Sequence, residues 1–212
     1  NHLSANFENY ITWPSIMQYA SGDYLYYSAL NKVIYKYYQK NHQIPLLKCR
    51  DFLKSWAESF YGENLNSEIP VTINLRKNLL WGTERNSDMD AWYEFFKSCI
   101  GNYNVKFIII GSNQEIDERM RLLKNVLIAK DFNTGIEQDL ALISLSEFHM
   151  GASSGPISMA WFSGKPYLMF SWDANIENYD GLKKYDDDYY SFGFASPLQK
   201  MTKNKETLEI LK

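Results

Sequence analysis

The chain has 212 residues, of which 45% are hydrophobic and 22% charged, and its formal net charge is −3. These values are typical of a globular protein that is long enough to bury a substantial core. The net negative charge argues against a nucleic-acid backbone or an acidic membrane surface as a partner, so a bound anion must be held by a local site.

The first 66 residues are rich in tyrosine and have helical spacing of apolar residues. Two helices are predicted here, over 22–41 and 47–62, and Gly62 ends the second. The cysteines, Cys49 and Cys99, have no spacing typical of a metal site and are predicted to be buried free thiols in a reducing compartment. Residues 1–66 are therefore predicted to form an amino-terminal helical segment.

Strands and helices alternate from residue 67 onward. This rhythm predicts a doubly wound parallel α/β sheet, a Rossmann-like domain over 67–212, because right-handed crossovers between parallel strands need helices of this length. The predicted strands are 71–75, 105–111, 125–129, 147–151 and 166–170, and the predicted helices are 88–101, 114–124, 135–145 and 155–163.

Targeting segments are not apparent in the sequence. No apolar run approaches the ~20 residues that span a bilayer, and the first residues lack the order of a secretory signal. Because the chain opens with Asn1 rather than Met, we expect a trimmed part of a longer protein. The polar stretch 171–194, with three aspartates at 186–188, is predicted to be surface.

Ligands of such sheets bind at the carboxyl ends of the strands, so the turns there are the candidate sites. Arg76 ends the first strand, and its planar guanidinium can donate two parallel hydrogen bonds to a phosphate or carboxylate. Arg85 lies further along the same loop. For Arg85, a surface ion pair with Glu84 or Asp88 is the alternative.

The next two turns carry weaker signals. Ser112 or Asn113 is placed to cap the helix that follows the second strand. After the third strand, Lys130, Asp131 and Phe132 either line a slot for a base or form an ordinary polar loop.

The fourth turn has the composition of an anion site. It runs through Ser153, Ser154 and Gly155 to Pro156 at the start of a helix. Glycine permits close approach, and hydroxyls with the N–H groups of a helix start attract anions. The alternative is a capped turn with small residues for tight packing. His149, just before this turn, points either at the ligand crevice or into the core.

Several common catalytic motifs are absent from the sequence: GxSxG, HExxH, GxGxxG after the first strand, and GxxxxGK[ST]. This argues against hydrolases with a nucleophile elbow, zinc proteases, dinucleotide enzymes and P-loop ATPases.

Residues 70–172 resemble the carboxyl-terminal domain of GT-B-type glycosyltransferases, in particular bacterial surface-polysaccharide and heptosyltransferase-like enzymes. The resemblance rests on "VTINLR", "VKFIIIG", "EQDLALISLSEF" and "HMGASSGPISMAWFSGKPYLMF". The last of these contains the family's G-[TA]-[DS]-S-G-P-x-x-x-A turn after a strand. The resemblance implies a transferase that binds a nucleotide-sugar donor and passes its sugar to a glycan or lipid-linked acceptor.

The resemblance also implies roles for individual residues. Gly151, Ser153, Ser154 and Gly155 would hold the donor diphosphate, and Arg76 would be the catalytic residue that neutralises the departing phosphates. Lys130, Asp131 and Phe132 would lie near the base, with Glu137 or Gln138 near the ribose.

Two positions depart from patterns of the family. Asn74 replaces the histidine of the "H-x-R" strand end found in fucosyltransferase-like members, and Ser153 stands where heptosyltransferases usually carry aspartate.

Fixed dipoles and an arginine can stabilise a leaving nucleoside diphosphate, so no metal or other cofactor is expected. The general base of this fold usually belongs to an amino-terminal domain, which residues 1–66 are too short and too helical to form. The fragment is therefore expected to be inactive alone.

The location implied for the protein is the cytoplasm, at the inner face of the membrane, in polysaccharide biosynthesis. Peripheral membrane association through regions outside this sequence is expected, and nucleic acid is not.

Two other functions are compatible with the sequence. A nucleotide-sugar epimerase of the same fold needs carboxylates in its cleft, for which Asp131 and Glu137 are the candidates. A non-catalytic carbohydrate- or protein-binding module would use the tyrosine-rich segment as its interaction surface.

Overall fold

The computed structural model describes most of the predicted α/β domain and part of the segment that precedes it, namely residues 37, 39–42, 46–80, 86–152 and 154–170. Of the predicted helix 22–41, only residues 37 and 39–41 are described, and they are helical. The acidic stretch 186–188 and Arg85 lie outside the described residues.

Five strands and four α-helices make up the described unit, and they follow one another in the predicted alternation. In chain order they are α1 (Asp51–Asn64), β1 (Ile69–Asn74), α2 (Met89–Cys99), β2 (Val105–Ile110), β3 (Val126–Ile128), α3 (Ile136–Leu145), β4 (Phe148–Ala152), α4 (Gly155–Trp161) and β5 (Tyr167–Phe170).

The five strands form one sheet in the order β3-β2-β1-β4-β5, with every neighbouring pair parallel. This confirms the predicted doubly wound, Rossmann-like α/β fold. The chain builds outward from β1 to β3 and then returns to place β4 on the other side of β1. The strand order therefore reverses between β1 and β4, where Asn74 pairs with Gly151.

Helices cover both faces of the sheet, as a doubly wound fold requires. On one face, Trp92 and Phe96 of α2 are buried with Val71 and Ile73 of β1. On the other face, α1, α3 and α4 pack over the residues of β2 that point away from α2, including Ile108. Each strand is thus buried from two sides, which explains the nearly continuous apolar runs in the sequence.

The predicted helix 114–124 is wrong: two short 3-10 helices, Asn113–Glu115 and Glu118–Leu122, take its place. The reason is local capping. The Ser112 side chain accepts from the Gln114 N–H, and the Asp117 side chain accepts from the Arg119 N–H, so each starts a new turn and interrupts the previous one. Capping by Ser112 was predicted, whereas Asp117 was not recognised.

Both cysteines are free thiols, as predicted. Cys99 is buried at the end of α2, and burial raises its pKa. Cys49 is only partly buried because it lies in the irregular stretch that leads into α1, so the prediction of a buried thiol is wrong for this residue.

Candidate functional site

The structure brings two of the sequence-predicted groups to the same place. Arg76 follows β1 by two residues, and Ser154 follows β4 by two residues, and these parallel strands are neighbours. Strands in a sheet lie about 4.8 Å apart, and the loops of β1 and β4 diverge because the strand order reverses between them. In open parallel sheets, ligands bind at the carboxyl ends of the strands where the strand order reverses in this way.

The backbone of Arg76 is fixed at the start of the loop that follows β1. Its backbone N–H donates to Ser87 Oγ at 3.0 Å, and its carbonyl accepts from the Ser87 N–H at 2.8 Å. Further out, the Asn78 N–H donates to the side chain of Asn86 at 2.8 Å. The loop is thus closed at its base, which fixes the backbone of Arg76, a residue with only 6% of its surface exposed.

The two glycines of the β4–α4 turn have different reasons for being glycine. A Cβ built on Gly151 would lie 2.1 Å from Asn74 Oδ1 and 2.4 Å from the Asn74 carbonyl oxygen. Gly151 is therefore needed for packing against β1. Gly155 is exposed, and within the described part of the chain a Cβ there would meet nothing within 4 Å. Open space beside the start of α4 is what a bound ligand needs. Ser153 lies outside the described residues.

Ser154 is the residue that precedes α4, but its side chain does not cap the helix. Instead, its Oγ accepts from Nδ2 of Asn74 at 2.8 Å. Pro156 is the second residue of α4 and has no N–H to satisfy.

A chain of buried polar side chains leads from the core to this turn. Asn74 Nδ2 donates to the Ala152 carbonyl at 2.9 Å as well as to Ser154, and Asn74 Oδ1 lies 2.8 Å from His149 Nε2. On its other side, His149 Nδ1 lies 2.9 Å from Thr72 Oγ1. His149, Asn74 and Thr72 are all fully buried. The histidine therefore belongs to the core, which was one of its two predicted placements.

The partners of His149 determine where its proton lies. Asn74 Oδ1 can only accept, so Nε2 of the imidazole must donate, and Nδ1 accepts from Thr72 Oγ1. A single proton on Nε2 is enough for both contacts, as in a neutral ring. Burial favours the same state, because it lowers the pKa of His149 to about 3.

Lys130 follows β3, and its ammonium group points into the protein. It contacts Asp139 Oδ2 at 3.0 Å and donates to the Thr134 carbonyl at 2.6 Å. Asp139, only 4% exposed, also accepts from Thr134 Oγ1 at 3.1 Å and from the Gly111 N–H at 3.3 Å. This cluster ties the loops after β2 and β3 to α3.

The other residues predicted near the base and ribose lie just after β3 and at the start of α3. Asp131 pairs with Arg121, and the exposed Glu137 lies 3.8 Å from Arg50. Phe132 is 46% exposed and packs edge-on against Phe60, with ring centroids 5.1 Å apart. The Gln138 side chain accepts from the Gly135 N–H. All of these residues follow β3, and β2 separates that strand from β1.

The sequence analysis did not predict that Thr72, Asn74 and Asp139 are buried polar residues with a structural role. A signal existed for the first two, because they alternate within an apolar strand and so face the same side of the sheet. Asp139 has no comparable signal in an amphipathic helix.

The side chains and helices of the described part of the chain bear on metal binding and on membrane crossing. There, no group of three or more His, Cys, Asp and Glu side chains is arranged to hold a metal ion. Within the same residues, every helix is too short or too polar to cross a membrane.

The structure is similar to those of several glycosyltransferases. One is E. coli ADP-heptose lps heptosyltransferase II, with 14% sequence identity and a TM-score of 0.48 over 76% of this chain and 44% of that chain. Another is a glycosyl transferase family 9 protein from Veillonella parvula, with 12% identity and a TM-score of 0.48 over 80% of this chain and 53% of that chain.

A third similar structure is E. coli heptosyltransferase WaaC with ADP-2-deoxy-2-fluoro heptose, with 11% identity and a TM-score of 0.39 over 54% of this chain and 36% of that chain. The chain thus spans 36% to 53% of the length of these solved proteins. No family model and no curated protein matches the sequence significantly.

Proposed function

We propose that this chain is the donor-binding part of a glycosyltransferase that uses a nucleoside diphosphate sugar. The observation that carries the proposal is the convergence of Arg76 and the open turn at Ser154 and Gly155 on neighbouring strands at the point where the strand order reverses. An arginine, a hydroxyl and an unobstructed glycine backbone together suit a diphosphate.

The reaction follows from the charge that develops. The bond between the sugar's anomeric carbon and the phosphate oxygen breaks, and a bond to the acceptor's hydroxyl oxygen forms. The bonding electrons leave with the nucleoside diphosphate, and the hydroxyl proton passes to a general base. In this proposal Arg76 is the catalytic residue that stabilises the departing charge. Ser153, Ser154 and the backbone from Gly151 to Gly155 hold the diphosphate, without a metal.

We place the nucleoside beside the residues that follow β3. Phe132 offers exposed ring surface for the base, and Glu137 offers an exposed carboxylate for the ribose hydroxyls. Lys130 and Asp131 are engaged in ion pairs and act in this proposal by fixing the loop around the base.

The acceptor site and its general base belong, in this proposal, to a part of the enzyme other than the described α/β unit. The acceptor is a glycan or a lipid-linked sugar, and the enzyme works in the cytoplasm at the inner face of the membrane. The described unit alone therefore binds donor without transferring sugar.

A thermal-shift series tests the donor proposal. The chain is heated with ADP, UDP, GDP, dTDP and CMP and with their sugar derivatives, and at least one is expected to raise the melting temperature by an amount set by its concentration relative to Kd. Arg76→Ala, checked for folding by circular dichroism, is expected to lose that shift. If the folded chain shows no shift with any of them, the donor proposal is wrong and a binding module without donor is favoured.

A further inference from the structure

We infer that Asn74 is a positioning residue of the proposed diphosphate site, which presents the Ser154 hydroxyl to the ligand as a hydrogen-bond donor. The inference rests on the proposed function and goes beyond it, because it explains why the strand before Arg76 ends in asparagine. It follows from three hydrogen bonds that fix which way each group points.

The first step concerns the orientation of the Asn74 side chain. One side of its amide faces the Ala152 carbonyl at 2.9 Å, and a carbonyl oxygen can only accept. The NH2 group must therefore be on that side, and it also reaches Ser154 Oγ at 2.8 Å. Oδ1 is left to face His149 Nε2.

The second step concerns the hydroxyl of Ser154. Because Asn74 donates to it, Ser154 Oγ uses a lone pair in this contact and keeps its proton. Among the described residues, that proton has no recorded acceptor, and Ser154 is half-buried beside the exposed Gly155. A phosphate oxygen is an acceptor without protons, so it matches this hydroxyl. With the amide reversed, Oδ1 would take the proton and turn it away from the crevice.

The third step concerns what prevents the reversal. Neutral His149 donates to Asn74 Oδ1 and accepts from Thr72, whose hydroxyl lies 3.1 Å from that of Ser146. A reversed amide would place Asn74 Oδ1 against the Ala152 carbonyl oxygen, which would leave two acceptors facing each other at a fully buried position. These hydrogen-bonded side chains add no net charge to the site. They act only by setting the direction of the hydrogen bonds.

A double-mutant cycle tests the inference. Binding of ADP, UDP, GDP and dTDP is measured by calorimetry for the wild-type chain, Ser154→Ala, Asn74→Asp and the double variant. Ser154→Ala is expected to weaken binding about tenfold or more. Aspartate has the shape of asparagine but only accepts, so it draws the Ser154 proton inward. In the Asn74→Asp background, Ser154→Ala is therefore expected to change binding less than twofold.

A role of Asn74 in packing alone would not produce this coupling. If Ser154→Ala weakens binding equally in both backgrounds, the inference is wrong while the proposed function stands. If the folded wild-type chain binds none of the four nucleotides, the proposed function is wrong and the inference falls with it.

Imidazole 15N NMR of the wild-type chain keeps the inference testable if Asn74→Asp does not fold. The chain has three histidines, and loss of one signal in His149→Gln assigns the resonance. A neutral ring with its proton on Nε2 at pH 7 is expected. A proton on Nδ1, or a doubly protonated ring, would mean that Asn74 is oriented differently and would overturn the inference.

Discussion

Gly151 lies directly against Asn74, so that even a methyl group on Gly151 would overlap both the side chain and the backbone of β1. Gly151→Ala should therefore force β4 away from β1 and lower the free energy of unfolding by on the order of 3 kcal/mol, as overpacking of a tight interior does. Urea denaturation measures this directly.

Gly155→Ala is the matched control for this substitution, since a Cβ at Gly155 contacts none of the described residues. Its free energy of unfolding should stay within about 1 kcal/mol of wild type. If the two variants lose the same stability, the packing account of Gly151 is wrong. Gly155→Val, in contrast, should weaken nucleotide binding if a ligand oxygen rests against this backbone.

The neutral, buried state of His149 predicts how stability depends on pH. Because burial lowers the pKa of His149 from 6.5 to about 3, the unfolded chain binds a proton here that the folded chain does not. The contribution of His149 to the free energy of unfolding is therefore fully present above pH 6.5. It is lost as the pH falls toward 3, by about 1.4 kcal/mol per pH unit.

Denaturation curves of the wild-type chain and of His149→Gln between pH 7.5 and about pH 4 check this slope. Glutamine does not titrate, so the free energy of unfolding of the variant should fall less steeply with acidification. All other titrating groups are common to both proteins, and the difference between the slopes isolates His149. Parallel curves would show that the histidine is protonated in the folded state.

The buried ion pair between Lys130 and Asp139 predicts a large effect on stability. Lys130→Met leaves the Asp139 carboxylate buried without its cation, which should cost about 3–5 kcal/mol. The control is Lys54→Met, which breaks an exposed pair with Glu58 at 3.9 Å and should cost less than about 1 kcal/mol. Equal costs for the two substitutions would contradict the account of Lys130 as a structural residue.

Arg76 should contribute to nucleotide binding by a charge-assisted hydrogen bond. Arg76→Ala is expected to weaken the binding of a nucleoside diphosphate by about 1.5–3 kcal/mol, measured by calorimetry on protein that retains its circular dichroism spectrum. Lys97→Ala removes an exposed cation near the end of α2, at the opposite edge of the sheet, and should leave the affinity unchanged. Equal losses in the two variants would mean that Arg76 acts only through net charge.

The fold was largely predictable because the period of the apolar residues differs between strands and helices. The run that became β2 is almost continuously apolar, and Asp88 marks the start of α2 by accepting from the Ala91 N–H. The helix predicted over 114–124 failed where Asp117 capped a second, shorter turn. A side chain that hydrogen-bonds to the backbone competes with the backbone hydrogen bonds of a helix. The spacing of apolar residues does not show which of the two forms.

The candidate site was predictable only as far as topology determines it. Arg76 and Ser154 were expected at the carboxyl edge of the sheet, and parallel strands place them there. The contact between Asn74 and His149 joins residues 75 positions apart, and no local pattern indicates it. Lys130 was predicted to lie near the base. Its ion pair with Asp139 was not predicted, because that contact depends on how α3 packs.

Tyr61 connects α1 to α3 by donating its hydroxyl to the Leu142 carbonyl at 2.6 Å. Around this bond, Ala57 and Phe60 cover Ala141 and Leu142, all of them buried. A truncated protein starting at residue 67 would expose this apolar surface to water and would tend to aggregate. For recombinant production of the α/β unit, α1 therefore has to be retained, even though the composition of the sequence changes only after it.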